Sequence, residues 1–417
     1  MSSCLPLAGR LLLMLKRLFS LDTASQKRVF GLDVLRAAAI LIVVDAHANN
    51  ALGSYHQGGL LHQFLPDGVE LFFVLSGFLI GGILIRIYEQ EGRMDGPVLM
   101  NFWVRRWFRT LPNYYLVLGG IIGINLIQAF LTGQHHSLPA KWTLASYFVF
   151  LQNFAWYVPD FFPETWSLAI EEWSYLFIPL ILLLWHRLRP AHWSQQRVVL
   201  AVILTVIVGT NLLRLVLALQ QPISAGELGF RGIVITRLDA IAYGVLAAYV
   251  KQYYPAFWRS PMAQKNAFWL GLVMTVITAF TASILILAFY VDSGVYPAYV
   301  FYKRTFYFLV IGLSMMLLIP RMDAWRSATG WIPRAITHVS LISYSLYLLN
   351  LTPVMGLLIN RIPTTSLTVG YGKVVLFWIV SLGLSTLLHK YYELPMTSLR
   401  DRMSKREPHL TETANVH

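Results

Sequence analysis

Apolar runs of about 20 residues recur throughout this chain and limit its fold more than any other feature. A run of that length crosses the roughly 30 Å hydrocarbon core of a bilayer as one helix. Of the 417 residues, 56% are hydrophobic and only 13% are charged, whereas a soluble domain carries about 25% charge. The sequence therefore predicts an all-α, polytopic integral membrane protein with about ten transmembrane helices in one bundle, and it excludes a soluble enzyme. The ten runs begin near Val34, Val69, Leu111, Trp166, Val198, Gly232, Ala267, Phe301, Ala335 and Val374.

An eleventh, aromatic-rich run from Trp142 to Val158 is ambiguous, because it is short and carries Gln152 and Asn153 at its centre. Lys and Arg collect on the cytoplasmic side of membrane proteins. If the basic N-terminus is cytoplasmic, basic loops alternate with loops nearly free of Lys and Arg only when this run does not cross. We therefore predict ten spans in the inner (cytoplasmic) membrane, both termini in the cytoplasm, and an outer-face interfacial or re-entrant segment over residues 142–165.

The net charge of +13 does not indicate nucleic-acid binding, because the basic residues punctuate apolar runs instead of forming a soluble face. We divide the chain into a basic, amphipathic cytoplasmic segment (1–28), a membrane-embedded domain (29–396) and a polar cytoplasmic tail (397–417). The only cysteine, Cys4, allows no intrachain disulfide, and no cysteine chemistry is expected.

Arg36 and His47 are charged or polar residues inside the first span. They lie eleven residues apart, which on an α-helix is about 1100°, or three turns plus about 20°, so they share one face. A charge in the apolar layer costs on the order of 3 kcal/mol, which makes both residues functional candidates. The structural alternative is that Arg36 reaches the lipid headgroups while His47 is a hydrogen-bonded residue at a helix end.

Two adjacent carboxylates, Glu171 and Glu172, enter the fourth span where the chain reads WSLAIEEW. Adjacent side chains on a helix point about 100° apart, so one can face the bundle interior while the other faces a partner. A desolvated carboxylate can act as a base or orient a histidine. Alternatively, each glutamate forms a structural ion pair with a basic residue on another helix. The ion-pair candidates at the same depth are Arg237 and Asp239 of the sixth span, with Lys303 and Arg304 at the start of the eighth.

Arg105, Arg106 and Arg109 precede the third apolar run at its cytoplasmic edge. Arginines three or four residues apart share a helix face and can bind phosphate in a bidentate manner, which lysine cannot. A purely topological role is the open alternative.

The motifs of this chain, taken in order, resemble those of the acyltransferase-3 family of integral-membrane acyltransferases over about residues 29–396. They are GLDVLR followed by His47, then GVELFFVLSGFLIGGIL, RRWFRTLP, WSLAIEEWSYLFIP, TRLDAIAYG, ISYSLYLLN and YYELP. The resemblance implies about ten spans, an acyl-coenzyme A donor, most often acetyl-CoA, and O-acylation of glycans, macrolide-type products or lipids. Many relatives carry a further hydrolase-like domain, so this chain is expected to acylate the acceptor itself or to pass the acyl group to a separate partner acyltransferase.

By position, the family's Arg-x10-His motif falls on Arg36 and His47, and its Arg-x-x-Arg motif on Arg106 and Arg109. Its SLxxEE motif falls on the stretch from Ser167 to Glu172. The chain departs from the family at three positions: Glu70 stands where Asp is frequent, Asp45 where an apolar residue is usual, and Asn350 where His often follows the YSLYL run. The last departure argues against a second catalytic histidine.

The resemblance implies a mechanism in which acyl-CoA binds the arginines of the third span and Arg36. His47, oriented by Glu171 or Glu172, then deprotonates an acceptor hydroxyl or is transiently acylated. Further substrate or ion-pair candidates are Ser167, Tyr344, Arg237 and Asp239. No metal is expected, and the expected partners are a glycan or glycolipid acceptor and membrane lipid. Acceptor-side aromatics are available at Trp156, Tyr157, Phe161 and Phe162.

Two rival functions use the same membrane-embedded charges. A secondary transporter or flippase for a glycan or anion also places Arg, Asp, Glu and His along its substrate path, but the chain shows no internal repeat of the transporter kind. A structural or sensory subunit is disfavoured because every motif position holds a chemically competent residue.

Overall fold

The computed structural model describes Leu21 and residues 28–55, 68–133, 138–220, 228–291 and 296–403. Within those ranges it contains helices and no strands, which confirms the all-α prediction. The predicted N-terminal segment 1–28 lies outside the described residues except at Leu21 and Arg28, and so does the tail beyond residue 403. The helix Leu394–Met403 runs through the domain boundary that we placed at residue 396.

Ten main helices build one bundle, in the positions expected for the ten spans. Eight of them are long and apolar enough to cross a membrane, namely all except α1 and α6. The main helices are α1 (Phe30–Ala48), α2 (Gly68–Glu91), α3 (Gly96–Thr132), α4 (Trp166–Leu188), α5 (Gln195–Gln220), α6 (Asp239–Tyr253), α7 (Pro261–Val291), α8 (Phe306–Ala324), α9 (Trp331–Leu349) and α10 (Leu367–Leu388).

Short helical segments connect or extend these ten. Several replace α-helical geometry by 3₁₀ or π turns, which mark local departures from regular helix. The short segments are Asn49–Tyr55, Lys141–Phe148, Pro163–Thr165, Leu228–Arg231, Val234–Thr236, Pro255–Arg259, Tyr296–Arg304, Asn350–Gly356, Ile359–Arg361, His389–Glu393 and Leu394–Met403.

Two helices begin at residues other than the predicted ones, because local features outweigh the apolar runs there. The helix α3 begins at Gly96, well before the run at Leu111, because the Asp95 side chain accepts a hydrogen bond from the Val98 amide at 3.1 Å and caps the first turn. The eighth predicted span is divided at Thr305, which has φ −117° and ψ −80° and separates α8 from the preceding short helix. The three arginines before Leu111 therefore lie on regular helix.

The helix α6 is the most enclosed element of the bundle, packing against α2, α5 and α8. Its contact with α2 is made through glycines. A Cβ atom on Gly77 would lie 2.0 Å from the Ile241 carbonyl oxygen, and one on Gly244 would lie 2.1 Å from that of Val74. Small residues permit such close helix packing. Because α6 is covered by protein, its 15 residues need not match the thickness of the lipid.

The eleventh apolar run does not form a spanning helix, which agrees with the prediction that it does not cross. It contains the eight-residue helix Lys141–Phe148 and then irregular chain, with Phe150 at φ 57°. The Asn153 side chain donates to the carbonyls of Trp166 at 3.0 Å and Gly232 at 2.6 Å. Buried irregular backbone at a membrane surface has to be covered by protein in this way.

The main helices alternate in direction, so α1 and α4 begin at opposite ends of the bundle. At the end where α1 begins, the amides of Phe30 and Gly31 donate to the carbonyls of Arg326 and Trp325, which follow α8, at 3.1 and 2.9 Å. We call this the N-terminal end of the bundle. The opposite end carries the start of α4 and the end of α9.

Candidate active site

A cavity of about 520 Å³ lies between α1, α2, α3, α4 and α9. It extends from Arg28 and Asp33, at the N-terminal end, to Ser167 in the first turn of α4. Six of the residues predicted for the site line its wall: Arg36, Arg106, Arg109, Ser167, Glu171 and Tyr344. The other five, which are His47, Arg105, Glu172, Arg237 and Asp239, are not among the residues that line it.

Asp33 is hydrogen-bonded to one of the two basic residues at the entrance of the cavity and lies at longer range from the other. Arg28 donates two hydrogen bonds to the Asp33 carboxylate, at 2.6 and 3.0 Å, and Ser340 donates a third at 2.7 Å. The Arg36 guanidinium lies 3.8 Å from the same carboxylate, too far for a hydrogen bond. Arg36 therefore keeps its donors for another anion.

The arginines of α3 also differ in whether their donors are already hydrogen-bonded to protein. Arg106 is buried, donates to the Tyr175 hydroxyl at 2.6 Å and lies over the Tyr175 ring at 4.3 Å. Arg109 follows three residues later on the same helix face, exposed to the cavity, with no hydrogen bond or ion pair to any residue that the structure describes. Arg105 is exposed and is not among the residues that line the cavity. Among the described arginines of the cavity wall, Arg36 and Arg109 are thus the two whose donors form no hydrogen bond to protein.

Only one of the two adjacent glutamates faces the cavity. Glu171 stands one turn after Ser167 and one turn before Tyr175, so these three residues form a single stripe along α4. Glu171 lies against the hydroxyls of Ser76 and Tyr175, which also contact each other. Glu172 points instead toward α3, where it accepts a hydrogen bond from Thr110 at 2.8 Å. Glu171 is therefore the glutamate of the cavity.

Two tyrosines of α9 close the inner part of the cavity. The Tyr344 hydroxyl donates to the Thr110 carbonyl at 2.7 Å. The Tyr347 hydroxyl lies 2.5 Å from that of Ser167 and donates to the Glu164 carbonyl at 2.8 Å. Sequence reasoning did not single out Tyr347, although its spacing of three from Tyr344 places both on one helix face.

His47 lies beyond this inner end, where it meets the first residue after α9. Its Nδ1 atom is 2.5 Å from Oδ1 of Asn350. That Glu171 or Glu172 orients His47 stays a prediction, although the described contacts of these two carboxylates are with other residues. The direction of α4 points these carboxylates at α2 and α3. Asn350 had been noted only as a departure from a family motif, which was the one signal that could have identified it.

Arg237 and Asp239 belong to a second group of charges, away from the cavity. Arg237 donates to both oxygens of Glu70, at 2.6 and 2.7 Å, and Asp239 accepts from Arg214 at 2.7 and 2.9 Å. All four side chains are almost fully buried. Both residues do form ion pairs, as expected of them, but their partners are Glu70 of α2 and Arg214 of α5 and not the glutamates of α4. We call these four residues the brace.

The sequence analysis also did not predict a polar group that follows α10 and lies in the wall of the cavity. The Glu393 carboxylate accepts hydrogen bonds from Ser345 at 2.6 Å and Asn113 at 3.0 Å, and it lies 3.0 Å from Nδ1 of His389. Glu393 belongs to the YYELP motif, and both His389 and Glu393 line the cavity. Their i, i+4 spacing was visible in the sequence, but nothing there indicated which helices they face.

Of the aromatic residues predicted for an acceptor surface, two are exposed and two are not. Trp156 and Tyr157 are 51% and 52% exposed, whereas Phe162 is fully buried. Phe161 packs edge-on against Tyr147, with ring centroids 5.7 Å apart. Only Trp156 and Tyr157 can therefore stack against a ligand from outside the bundle.

Comparison with known proteins finds a matching family and several similar proteins. A family model described as an acyltransferase domain, acyltransferase-3, matches residues 29–389. The O-acetyltransferase OatA of Staphylococcus aureus strain NCTC 8325 / PS 47 is 31% identical over 180 residues, which is 42% of this chain and 28% of OatA. OatA of strain COL matches to the same extent. The chain thus aligns with less than a third of either relative, and no solved structure matches it.

Proposed function

Because the chain belongs to the acyltransferase-3 family, we propose that this multi-pass membrane acyltransferase moves an acyl group, most often acetyl, from acyl-coenzyme A to a hydroxyl of a glycan or glycolipid. The observation that carries the proposal is the cavity with two arginines at its wall, Arg36 and Arg109, whose guanidinium groups form no hydrogen bond to the described residues. The names of the relatives, O-acetyltransferases of S. aureus, support O-acetylation as the reaction.

The donor would bind through its phosphates. Coenzyme A is a polyanion with a diphosphate and a 3′-phosphate, and guanidinium groups bind phosphate oxygens in a bidentate manner. Arg36 and Arg109 retain donors for such an anion, while Arg106 is held by Tyr175. A cavity of about 520 Å³ lies within the range of small-molecule and cofactor sites, roughly 300–1,000 Å³.

We propose that the N-terminal end of the bundle faces the cytoplasm, where acyl-CoA is made. Each of the four connections at that end carries an arginine: Arg93, Arg189, Arg259 and Arg326. Positive charge in short loops favours the cytoplasmic side. The acceptor would then approach from the opposite end, where Trp156 and Tyr157 are exposed and sugar rings can stack on aromatic side chains.

The reaction is proposed to take place where Ser167 meets Tyr347, between the donor cavity and His47. His47 removes the proton from the acceptor hydroxyl, the hydroxyl oxygen attacks the thioester carbonyl, and the carbon–sulfur bond breaks. The coenzyme A thiolate leaves and takes up the proton that His47 received. The ester formed on the acceptor accounts for the acyl group lost by the donor.

The cavity glutamate has a different role in this proposal from the one expected from sequence. Glu171 lies beside Arg106, Tyr175 and Ser76, so it would hold the arginine-bearing face of α3 in register with α4. It would act on donor binding and not on the orientation of His47.

Acyl transfer is tested with purified protein in lipid nanodiscs, acetyl-CoA labelled in the acetyl group, and glycolipids extracted from the cell envelope. We expect label to enter the glycolipid fraction with one coenzyme A thiol released per acetyl group. His47→Ala should lower the rate by roughly 10²- to 10⁴-fold without changing coenzyme A binding. Binding without thioester cleavage, together with movement of glycan across the bilayer, would favour the flippase alternative. Wild-type turnover by His47→Ala would remove His47 from the mechanism.

A further inference from the structure

The hydrogen bonds of the Asn350 side chain fix which atom of its amide is directed at His47. Its Nδ2 atom donates to the backbone carbonyls of Leu346, at 2.9 Å, and Tyr347, at 2.8 Å. An amide nitrogen carries two hydrogens, and both are used in these bonds. The oxygen is therefore the atom directed at His47, 2.5 Å from Nδ1.

An amide oxygen can only accept a hydrogen bond, so Nδ1 of His47 has to carry a proton. A neutral imidazole with hydrogen on Nδ1 has its lone pair on Nε2. We propose that Asn350 is a positioning residue that selects this tautomer of His47, so that Nε2 is the atom that receives the acceptor proton. The inference rests on the proposed function, and it gives the chain's departure from the family motif a chemical role.

The backbone around Asn350 holds the amide in place. Asn350 opens the π-helical turn Asn350–Gly356, which contains Pro353 and so lacks one backbone donor. The buried carboxylate of Glu164 accepts hydrogen bonds from the Thr352 amide, at 2.8 Å, and from the Thr352 hydroxyl, at 2.7 Å. Since the Tyr347 hydroxyl donates to the Glu164 carbonyl, both sides of Asn350 are tied to the segment that leads into α4.

Three other charged groups lie at this end of the bundle. Asp45, on α1 itself, is exposed and lies two residues before His47, about 200° around the helix. The Glu164 carboxylate binds Thr352, and Lys373 of α10 donates to the Thr364 hydroxyl at 2.8 Å. The contact of the Asn350 oxygen with Nδ1 is therefore the one that fixes the proton on this atom of the His47 ring.

The variant Asn350→Leu keeps the approximate volume of the side chain but removes the acceptor. We expect kcat to fall between about 10- and 100-fold, part of the 10²- to 10⁴-fold that a positioned base contributes. The KM for acetyl-CoA should stay within about twofold of wild type, because Asn350 does not line the cavity. The acid limb of the pH–rate profile should move to lower pH, since the imidazolium loses the oxygen that stabilises it. A merely structural role for Asn350 would scale the rate without moving this limb.

Two comparisons complete the experiment. In a His47→Ala background, adding Asn350→Leu should cause no further loss, because the two residues act as one unit. Asn125→Leu, on α3 and remote from the cavity, controls for replacing an asparagine in this bundle. If Asn350→Leu is not recovered as a monodisperse protein, the smaller Asn350→Ala, which also lacks a side-chain acceptor, carries the same expectations.

The inference is overturned if the acid limb of the Asn350 variant coincides with that of wild type, or if its loss adds in full to that of His47→Ala. Both results differ from failure of the proposed function itself, in which wild-type protein would transfer no acetyl group from acetyl-CoA.

Discussion

The cavity and the brace contain the same kinds of side chain inside one membrane-embedded bundle, yet they are arranged in opposite ways. In the brace, Arg237 meets Glu70 and Arg214 meets Asp239, with every charge matched and almost no exposure. In the cavity, Arg36 lies 3.8 Å from Asp33, beyond hydrogen-bond distance, Arg109 has no ion pair among the described residues, and both line open volume. A charge in an apolar layer is costly unless paired. Arginines beside a cavity that keep donors free of hydrogen bonds therefore fit an anionic ligand, while matched pairs indicate structure.

The largest effect is expected from breaking the brace. Arg237→Ala leaves Glu70 buried without its cation, and removing one partner of a buried ion pair costs about 3–5 kcal/mol of stability. We expect a lower thermal unfolding midpoint and poor recovery of monodisperse protein. Replacing both members, as in Glu70→Leu with Arg237→Leu, should restore most of the stability. If Arg237→Ala unfolds like wild type, the brace is not structural.

The matching change in the cavity should act on ligand binding and not on folding. Arg109→Ala removes charge-assisted hydrogen bonds to phosphate, worth about 1.5–3 kcal/mol, or roughly 10- to 100-fold in the KM for acetyl-CoA. Its unfolding midpoint should equal that of wild type, because Arg109 has no partner among the described residues to lose. Arg93→Ala, in an exposed loop, serves as the control. An unchanged KM would show that phosphate is not bound at this wall.

The two adjacent glutamates allow a smaller and sharper comparison. Glu171→Gln changes the group beside Arg106 and Tyr175, and we expect roughly a tenfold weaker affinity for acetyl-CoA with a modest change in kcat. Glu172→Gln changes a side chain that faces Thr110, outside the cavity, and should alter affinity less than about threefold. Isothermal titration with coenzyme A measures both. Equal effects of the two variants would contradict the assignment of Glu171 as the glutamate of the cavity.

The smallest effect is expected at Arg105, which the sequence alone groups with the phosphate-binding arginines. Because its side chain is exposed and does not line the cavity, Arg105→Ala should change the KM for acetyl-CoA less than about twofold. A larger change would mean that the donor extends beyond the cavity along α3.

Patterns within single helices predicted a large part of this arrangement. Apolar runs located the spans, and the angle of about 100° between adjacent side chains predicted that Glu171 and Glu172 face different partners. The three-residue spacing of Arg106 and Arg109 placed them on one face of α3. Each of these inferences uses residues within a few turns of one helix, where geometry follows directly from the 3.6-residue period.

Contacts between distant helices were predicted poorly. The sequence pattern suggested Glu171 or Glu172 as the partner of His47, but it did not predict the contact with Asn350, 303 residues away in sequence. Similarly, Arg237 pairs with Glu70, 167 residues away. Depth in the membrane limits which residues can meet, but several helices present polar groups at one depth, and depth alone does not choose among them.

By itself, then, the sequence determined the class of fold, the set of spans and the face of each helix that carries polar residues, because these depend on hydrophobic length and helical period. Only the tertiary structure decided which faces meet. That choice depends on the close packing of α2 against α6 through Gly77 and Gly244, and on the π-helical turn that brings Asn350 to His47. Such contacts arise from the summed packing of the whole bundle, which no local pattern encodes.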